Sequence, residues 1–490
     1  MSTTVKLHTD HQRNLLELLR ENGVALSAPC GGLGTCGKCV VRLNDEDVLA
    51  CQTFVSKDCT VEVPETEETV VLTRGISLGD VPLLDPVASG DLLAVDIGTT
   101  TVAAFLLDGK TGTQLATASL LNPQTSYGAD VISRIQAAMD GSLEDLQRLI
   151  ADGVDSLVET LCEKAGRSPA DIGVVSIVGN PAMQQLFLGV DPKNLASVPF
   201  DPVLTETKLV AAKDYLPACG NATLLVVPDI AGYVGADTVG AVLATKLDSA
   251  DDNVLLVDIG TNGEMVLRAN GQMAACSTAA GPALEGAKIT FGMRGAPGAI
   301  DKVWLEDGEL RFHVIGDTEA TGICGSGLID AVAAFLDLGL INKRGRIQSK
   351  DEVDGQRVLY LTNDIYLTQN DIHEVMLAKG AIAAGVELLA KTLDIDVPDI
   401  DWVLLAGAFG SFLNAGNACR IGLLPAGLEG KATAVGNAAG VGACRMALAR
   451  SEFERTAELL KHIRFVELAN LPEFMGCFAR HMGFTVREVD

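Results

Sequence analysis

Aromatic and basic residues are scarce in this chain of 490 residues. Aromatics make up 4% of it, so the core must be built mainly from Ala, Val, Leu and Ile, and 51 glycines are available for tight turns. Lys and Arg number 37 against 64 Asp and Glu, which gives a net charge of −27. A surface this acidic repels polyanions and anionic lipids, so we expect neither nucleic acid nor a membrane as a partner.

Two further features are missing from the sequence. There is no run of about 18 consecutive apolar residues, so no transmembrane helix is predicted. The first residues, MSTTVKLHTDHQ, do not show the basic and then apolar pattern of a secretory signal. We therefore expect a cytoplasmic protein whose twelve cysteines are mostly reduced, with the regularly spaced ones available as metal ligands.

Four cysteines near the N-terminus follow a metal-binding pattern. The stretches APCGGLGTCGKC and LACQT give the spacing C-x5-C-x2-C-x11-C. A two-iron cluster needs four soft thiolate ligands, and the glycines let this loop wrap closely around a small group. Zinc is the alternative, but zinc sites favour two separate C-x2-C pairs. The pattern therefore predicts a [2Fe–2S] cluster bound by Cys30, Cys36, Cys39 and Cys51.

This region resembles the β-grasp [2Fe–2S] ferredoxins through CGGLGTCGKC and LACQT. Its first spacing is x5, whereas the plant-type ferredoxin loop has x4. The resemblance implies an α+β β-grasp ferredoxin module over residues 1–65. Residues 66–90 mix prolines, acids and glycines without a period, and we expect them to form a linker. We assign Cys59 and the seven cysteines after it to packing.

From residue 91 onward, apolar strands alternate with Ala- and Leu-rich helical stretches, which is typical of an α/β fold. The segments LLAVDIGTTTVAAFLLD and VLLVDIGTNGEMVLRA resemble one another and align Asp96 with Asp258. Because the two segments lie about one domain length apart, they predict two lobes of similar design, residues 91–250 and residues 251–490. The last stretch, from Ser451 onward, is predicted to add a helix and a strand.

Each DIGT segment is a candidate phosphate-binding turn. A single D-x-G-T fits an ordinary β-turn about equally well, but two copies in matching strands favour a shared function. An Asp at a strand end can hold Mg²⁺, a Gly allows close approach of the backbone, and Thr hydroxyls donate hydrogen bonds. We expect the two turns to bind phosphate and Mg²⁺ through Asp96, Gly98, Thr99, Thr100, Asp258, Gly260, Thr261 and Asn262.

A third stretch, VLLAGAFGSFLN, contains an apolar strand followed by small residues. Gly407 and Gly410 would let adenine lie against the backbone, although close packing of a strand on a helix explains them equally well. Asp237 and Glu264 are candidates for orienting the attacking water, and Glu285 is a further candidate. For each of these acids, a structural or solvent-exposed role is the simpler alternative.

Together, DIGTTT, DIGTNGE and LLAGAFG resemble the phosphate-1, phosphate-2 and adenosine motifs of the acetate and sugar kinase, Hsp70 and actin superfamily. This resemblance implies an α/β domain of two RNase-H-like lobes with ATP between them. With the N-terminal cysteines and the stretch VVSIVGNPAMQQLFLG, nearly the whole chain resembles the ATP-dependent reductive activators of corrinoid proteins. In that family we expect a His pair where this chain has Gln184 and Gln185.

The family resemblance implies an ATP-hydrolysing enzyme that reduces Co(II) to Co(I) in the corrinoid protein of a methyltransferase system. It also implies an electron-donor protein or another reductant as a partner. The oligomeric state is open, and a homodimer is one option. Three alternatives remain at this point: an ATPase that injects electrons into another redox enzyme, a small-molecule kinase fused to a ferredoxin, and a redox-sensing binding module that nucleotide switches without catalysis.

Overall fold

The structure is a computed structural model, and it describes residues 2–22, 24, 26, 39–43, 46–64, 84–410 and 412–485. Cys30, Cys36 and most of the expected linker 66–90 lie outside the described residues. The described chain forms two compact units. The first unit contains residues up to 64, 84–237 and 443–454, and the second contains 238–442 and 455–485.

The N-terminal part of the first unit has a small antiparallel sheet and one helix. Its elements are β1 (Ser2–Leu7), β2 (Arg13–Asn14), α1 (Leu15–Glu21), β3 (Val40–Leu43), β4 (Glu46–Leu49), β5 (Phe54–Val55) and β6 (Cys59–Pro64). Four strands form a sheet in the order β1–β6–β3–β4. Leu15 and Leu19 of α1 share one buried cluster with Leu7, Val41 and Val61. A helix this short is not stable alone, so this packing is its main source of stability.

Strand β4 gives way to a turn just before Cys51. The strand ends at Leu49, and Ala50–Gln52 forms a single 3-10 turn. Thr53 explains the change, because its hydroxyl donates to the Leu49 carbonyl at 2.9 Å and its amide donates to the Ala50 carbonyl at 3.3 Å. In a continuing strand, these two carbonyls would accept hydrogen bonds from a neighbouring strand, but here they accept from Thr53.

The main sheet of the first unit has six strands. They are β7 (Asp91–Ile97), β8 (Thr101–Leu107), β9 (Gln114–Leu121), β10 (Ile172–Gly179), β11 (Lys208–Ala211) and β12 (Thr223–Val226), in the order β11–β12–β10–β7–β8–β9. Strand β10 is buried along its whole length and β7 along nearly all of its length, which is why both read as almost continuous apolar runs. The helices α2 (Val131–Ala137), α3 (Leu143–Ala165) and α4 (Pro181–Phe187) follow in the same unit.

The second unit contains the remaining strands of the described chain. They are β13 (Val254–Ile259), β14 (Gly263–Ala269), β15 (Gln272–Thr278), β16 (Ala299–Glu306), β17 (Glu309–Val314), β18 (Gly322–Ile323), β19 (Glu352–Val353), β20 (Gln356–Tyr360), β21 (Tyr366–Thr368), β22 (Trp402–Ala406), β23 (Ala432–Gly436) and β24 (Ile463–Phe465). Six of them form the main sheet of this unit, in the order β23–β22–β13–β14–β15–β24.

The two main sheets share the topology of five of their six strands, and the sixth strand lies beside β12 in one and beside β15 in the other. In each, three consecutive strands pair antiparallel, as β7–β8–β9 and as β13–β14–β15, and two later strands add in parallel beside the first of the three. Each DIGT segment ends the first strand of its sheet. The expected fold class, a ferredoxin module followed by a two-lobed RNase-H-like α/β domain, is confirmed by this repeated design and by the N-terminal sheet.

The remaining helices include one that the sequence analysis missed. They are α5 (Ala236–Thr245), α6 (Gly325–Asp337), α7 (Gln369–Thr392), α8 (Gly407–Gly410), α9 (Ala415–Ile421), α10 (Ala438–Leu448), α11 (Arg450–His462) and α12 (Phe474–Met482). The end of the chain was expected to hold one helix and one strand, but α12 follows them. Among the helices that the structure describes, none has the length and apolar character needed to cross a bilayer.

Candidate functional site

Two of the four predicted cluster ligands lie next to each other. Cys39 precedes β3 and Cys51 follows β4, at the end of this hairpin that is away from its turn. The Ala50 amide donates to the Cys39 carbonyl at 2.8 Å and so joins the two positions. The exposed fractions are 1% for Cys39 and 6% for Cys51. No disulfide joins any of the ten cysteines that the structure describes.

The turn that carries Cys51 is fixed to the start of α1. The side-chain amide of Asn14 donates to the Cys51 carbonyl at 2.9 Å, and its carbonyl oxygen accepts from the Leu16 amide at 3.0 Å. The Leu15 amide donates to the Thr53 carbonyl at 2.8 Å. Two shielded thiols at a fixed hairpin end fit an iron–sulfur cluster, which thiolates ligate. Sequence reasoning missed Asn14. The one feature of the sequence that indicates its role is its position just before a helix, where Asn is a preferred cap.

The first DIGT turn connects β7 to β8. The Gly98 amide donates to the Thr101 carbonyl at 3.0 Å, and a β carbon at residue 98 would lie 2.7 Å from that same oxygen. A side chain at residue 98 would therefore force the turn open. Asp96, near the end of β7, is half-buried and pairs across the sheet with Ala103.

Three polar side chains that sequence reasoning missed hold this turn. The Asn122 amide donates to the Gly98 carbonyl at 2.8 Å, and the Asn180 amide donates to the Thr99 hydroxyl at 3.0 Å. The fully buried Arg134 guanidinium donates to the Thr99 carbonyl. These bonds set the shape of the turn in the folded chain itself, as a preorganised phosphate site requires.

The second DIGT turn connects β13 to β14. It closes one residue earlier than the first turn, since Ile259 pairs with Gly263 whereas Ile97 pairs with Val102. The Gly260 amide donates to the Asn262 carbonyl at 2.9 Å. The Thr261 hydroxyl donates to a Glu285 carboxylate oxygen at 3.0 Å, so the structure brings Glu285 to the turn. Burial lowers the pKa of the Arg294 guanidinium, and the nearby Glu285 carboxylate opposes that shift. Sequence reasoning missed Arg294, a cation close to this turn.

Asp258 and Glu264 lie directly opposite each other on β13 and β14, and both are half-buried. Two carboxylates in such a cross-strand pair repel each other, which costs stability unless a cation or a proton compensates. The pair therefore fits the predicted Mg²⁺. The first turn differs, because Asp96 faces an alanine there.

The glycine-rich segment after β22 lies against the second turn. Strands β13 and β22 run parallel with Asp258 opposite Ala406, so the next residue, Gly407, comes up beside the aspartate. Gly407 has a φ of 85°, and a β carbon there would be 2.4 Å from Asp258 Oδ1. Gly410 is buried, and a β carbon there would lie 3.1 Å from the Leu405 carbonyl carbon. Glycine is therefore needed at both positions because the chain packs closely on itself there, on Asp258 at one and on Leu405 at the other.

Asp229 is a buried carboxyl beside the predicted Asp237. It is 1% exposed, and neither of its carboxylate oxygens has a hydrogen-bond partner of normal geometry among the described residues. Burial raises the pKa of Asp229 well above its usual range, and the charge of Asp237 raises it further. The Ala236 amide opposes this shift and is the smallest of the three influences on the pKa. A buried carboxyl so poorly paired is rare in proteins and can hold a proton or bind a cation. Sequence reasoning chose Asp237 and missed Asp229, although PDIAGYVGADT contains both.

Gln184 and Gln185 are buried on α4. The Gln184 amide donates to the Val227 carbonyl at 3.3 Å, two residues before Asp229. Neither polar atom of the Gln185 side chain has a hydrogen-bond partner among the described residues. The departure from the expected His pair therefore affects the interior of the first unit.

Three family models match the chain. They are described as a 2Fe-2S iron-sulfur cluster binding domain over residues 2–70, the RACo middle region over 92–250, and the C-terminal domain of RACo, the ASKHA domain, over 252–490. The abbreviation ASKHA denotes the acetate and sugar kinase, Hsp70 and actin superfamily. The three models follow one another along nearly the whole sequence.

Full-length relatives agree with these models. The chain is 31% identical to the corrinoid activation enzyme RamQ of Eubacterium limosum, with 94% of each chain covered. It is 28% identical to a [Co(II) methylated amine-specific corrinoid protein] reductase of Methanosarcina barkeri, over 76% of this chain and 72% of that one. A solved structure of a reductive activator for a corrinoid, iron-sulfur protein superposes with a TM-score of 0.74 at 29% identity, over 96% of this chain and 95% of the other.

A relative this similar along nearly its full length shares both the fold and the order of domains. The family expected from the sequence motifs is confirmed. The chain belongs to the RACo family of reductive activators, in which a [2Fe–2S] domain precedes a middle region and an ASKHA domain.

Proposed function

We propose that this protein is an ATP-dependent reductive activator that returns the corrinoid protein of a methyltransferase system from Co(II) to Co(I). The observation that carries the proposal is that one chain combines two adjacent buried cysteines, Cys39 and Cys51, with two DIGT turns in sheets of repeated topology. The names of two relatives support it, since one is a corrinoid activation enzyme and the other a reductase of a Co(II) corrinoid protein.

We propose a division of the chain into four parts. A ferredoxin module of residues 1–65 is followed by a linker of residues 66–90, and two ATPase lobes comprise residues 91–250 and 251–490. The ranges of the three family models support this division.

We assign Cys30, Cys36, Cys39 and Cys51 as the ligands of the [2Fe–2S] cluster. When bound, the cluster supplies single electrons, which is the unit that a Co(II) centre takes up. The buried positions of Cys39 and Cys51 keep water from two of the ligands, and Asn14 holds the backbone of Cys51. An electron-donor protein or a small reductant must supply the electrons.

ATP is needed because reduction of Co(II) to Co(I) runs against the potential of an ordinary [2Fe–2S] protein. For one electron, each 59 mV of unfavourable potential costs about tenfold in the equilibrium constant. A deficit of ~120 mV is then a factor of roughly 100, or about 2.7 kcal/mol. ATP binding produces the form of the protein that holds the partner about 100-fold more tightly in a state that favours Co(I), and this offsets the deficit. ATP hydrolysis then releases the partner.

We assign the nucleotide site to the three glycine-containing segments. Asp96 and Asp258 hold Mg²⁺, and Glu264 supports it from its position opposite Asp258. Gly407 and Gly410 flank the adenosine. The amides and hydroxyls that bind phosphate belong to Gly98, Thr99, Thr100, Gly260, Thr261 and Asn262.

The attacking water needs a proton acceptor, and we assign this role to Asp229 together with Asp237. Asp229 supports the assignment because it is buried and has a raised pKa, which makes its carboxylate a stronger proton acceptor than an ordinary carboxylate. Arg294 adds positive charge near the second turn and so opposes the negative charge of the phosphates.

Absorption spectroscopy of the cobalt tests the proposal. Under anaerobic conditions, the full-length protein is mixed with a Co(II) corrinoid protein, a reductant and Mg²⁺. We expect the Co(I) spectrum to appear only when ATP is added. Cys36→Ala is expected to abolish reduction while ATP binding is retained, whereas Cys59→Ser serves as a control that reduces normally. Reduction that persists in Cys36→Ala would show that the electrons take another path.

A further inference from the structure

A second group of metal-ligand side chains lies in the second unit, where α12 packs on α7. Glu387 belongs to α7, and Cys477 and His481 belong to α12. Cys477 and His481 are four residues apart, so they project from the same face of their helix. One ligand atom from each of the three residues lies within 4.8 Å of the other two. Neither the cluster nor the nucleotide assignment uses these residues.

The carboxylate of Glu387 accepts a hydrogen bond from the Cys477 thiol and contacts two further partners. His481 Nε2 lies 2.6 Å from Oε2, and the Arg480 guanidinium donates to Oε1 at 2.7 Å. The Cys477 thiol is fully buried, while the side chains of Glu387 and His481 are 37% and 22% exposed. The group therefore has a buried end with the thiol and an open end that a small ion can enter.

We propose that Glu387, Cys477 and His481 bind a divalent cation of the zinc class, with a fourth position open to water. A thiolate, an imidazole and a carboxylate suit Zn²⁺, with bonds of about 2.0–2.3 Å. Such bonds place the ligand atoms roughly 3.3–3.6 Å apart in a tetrahedron. On binding, the hydrogen bond between Glu387 and His481 opens by about 1 Å and Cys477 loses its proton.

The backbone around these ligands is held firmly. The ammonium group of the buried Lys379, on α7, donates to the carbonyls of His481 at 2.6 Å and Gly483 at 2.5 Å. These bonds satisfy the end of α12, which would otherwise leave its last carbonyls without intrahelical partners. The ligands are therefore positioned before a metal arrives. Arg480 is placed to keep one carboxylate oxygen engaged while the other ligates, which is the usual arrangement around metal-bound carboxylates.

An ion-pair network without a metal is the competing explanation, because Arg480 and His481 both contact Glu387. Cys477 favours the metal. A thiol is a weak hydrogen-bond donor and adds little to an ion pair, whereas a thiolate is a strong zinc ligand. The two explanations differ in whether the protein retains zinc and whether a thiolate contacts it.

The proposal is tested by measuring zinc retention. The full-length protein is first loaded with its iron–sulfur cluster, so that the N-terminal cysteines are occupied. The protein is incubated with ZnCl2, desalted and assayed by elemental mass spectrometry, and a competing chelator gives the affinity. We expect about one tightly held zinc per chain. His481→Gln and Cys477→Ala should weaken binding by more than the roughly 10- to 100-fold expected for Arg480→Gln, which removes only an outer partner. His462→Gln, an exposed histidine on α11, should bind as the wild type does.

Cobalt gives a second reading, which in the wild type reports thiolate ligation directly. We expect Co²⁺ added to the wild type to produce the thiolate-to-cobalt absorption of a tetrahedral site, and Cys477→Ala to lack it. The variants leave the N-terminal cysteines unchanged, so a difference from the wild type reports on α12. The proposal would be overturned, leaving only an ion-pair network, if the wild type retained no zinc. It would also be overturned if His481→Gln and Cys477→Ala each retained as much zinc as the wild type.

Discussion

Gly407 lies so close to Asp258 that a β carbon at residue 407 would come within 2.4 Å of the aspartate Oδ1. The contact arises because β13 and β22 are parallel neighbours and their carboxyl ends meet at the same edge of the sheet. Ligands of open α/β sheets bind at this edge. Two motifs that are far apart in the sequence are thus brought together within the second unit.

Replacing Gly407 with Ala should impair nucleotide binding. The new methyl group would displace the Asp258 carboxylate, and we expect ATP affinity to fall by at least about tenfold, or about 1.4 kcal/mol. Gly430→Ala is the matched control, because its φ of 74° is similar but no described atom lies within 4 Å of the position of its β carbon. In both variants, placing alanine at a positive φ costs roughly 1–2 kcal/mol. A difference in ATP affinity between them, measured by calorimetric titration, therefore reports the clash of the new β carbon with Asp258. Equal affinities would contradict the assignment of Gly407.

Arg134→Lys should destabilise the first unit and loosen the first DIGT turn. Lysine keeps the charge but cannot reproduce a guanidinium that bonds to the carbonyls of Gly128, at 3.0 Å, and Thr99. We expect a loss of about 2–3 kcal/mol in the free energy of unfolding and weaker ATP binding. Arg148→Lys, an exposed residue paired with Asp145, should change stability by less than about 0.5 kcal/mol. Urea unfolding of both variants decides the question, and similar effects of the two substitutions would argue against a special role for Arg134.

Asp229→Asn should slow ATP hydrolysis by roughly 10²- to 10⁴-fold while ATP binding is retained, because the variant has no proton acceptor at this position. In the wild type the raised pKa means that the acid form persists to a higher pH than in an ordinary carboxyl. ATPase activity should therefore decline as the pH falls through that raised pKa. A pH–rate profile measures this, and an Asp229→Asn variant with normal turnover would exclude Asp229 as the acceptor.

Asp229→Asn should slow hydrolysis but increase the free energy of unfolding. Because the pKa of Asp229 is raised in the folded state, folding is unimpaired below the unfolded pKa of about 4 and becomes less favourable as the pH rises. Asn avoids this penalty, so the variant should gain about 1–3 kcal/mol over the wild type at pH values near 8 and little near 4. Denaturant unfolding at both pH values tests the sign. A loss of stability at the higher pH would show that a bound cation compensates the charge in the wild type.

Asn14→Ala should make the cluster more labile. The substitution removes the bond to the Cys51 carbonyl and the cap of α1, at a cost of about 1 kcal/mol. We expect the visible absorption of the reconstituted cluster to bleach faster in air than in the wild type. Asn22→Ala, which removes a bond to the Leu18 carbonyl at the far end of the same helix, is the control. Identical bleaching rates would mean that Asn14 does not support the cluster site.

Local patterns predicted the two DIGT turns and, through the resemblance of their motifs to known ones, the family. They did not predict the residues that hold the first turn, because Asn122, Arg134 and Asn180 reach it from 24 to 81 residues away along the chain. Such long-range bonds depend on how helices and strands pack, and a single sequence does not record this. Asp229 was missed for the same reason, since its burial and not its neighbours in sequence sets it apart from Asp237.

Helix α12 was missed for a different reason. It has nine residues, which is too short to be stable alone, and contains Gly476, a poor helix former. Its stability comes from α7, through contacts such as the bonds from Lys379. A helix of this kind can be recognised only from its packing against a partner helix, which the sequence alone does not show.

Electron paramagnetic resonance in a single turnover tests most directly whether ATP drives an electron from this protein to cobalt. The reduced cluster and Co(II) each carry an unpaired electron, whereas the oxidised cluster and Co(I) give no signal. When the reduced protein is mixed anaerobically with a Co(II) corrinoid protein in the absence of other reductants, we expect both signals to persist. On addition of Mg²⁺ and ATP, both should decrease one for one. A Co(II) signal that persists after ATP is added, or one that disappears while the cluster signal is unchanged, would contradict reductive activation by this chain.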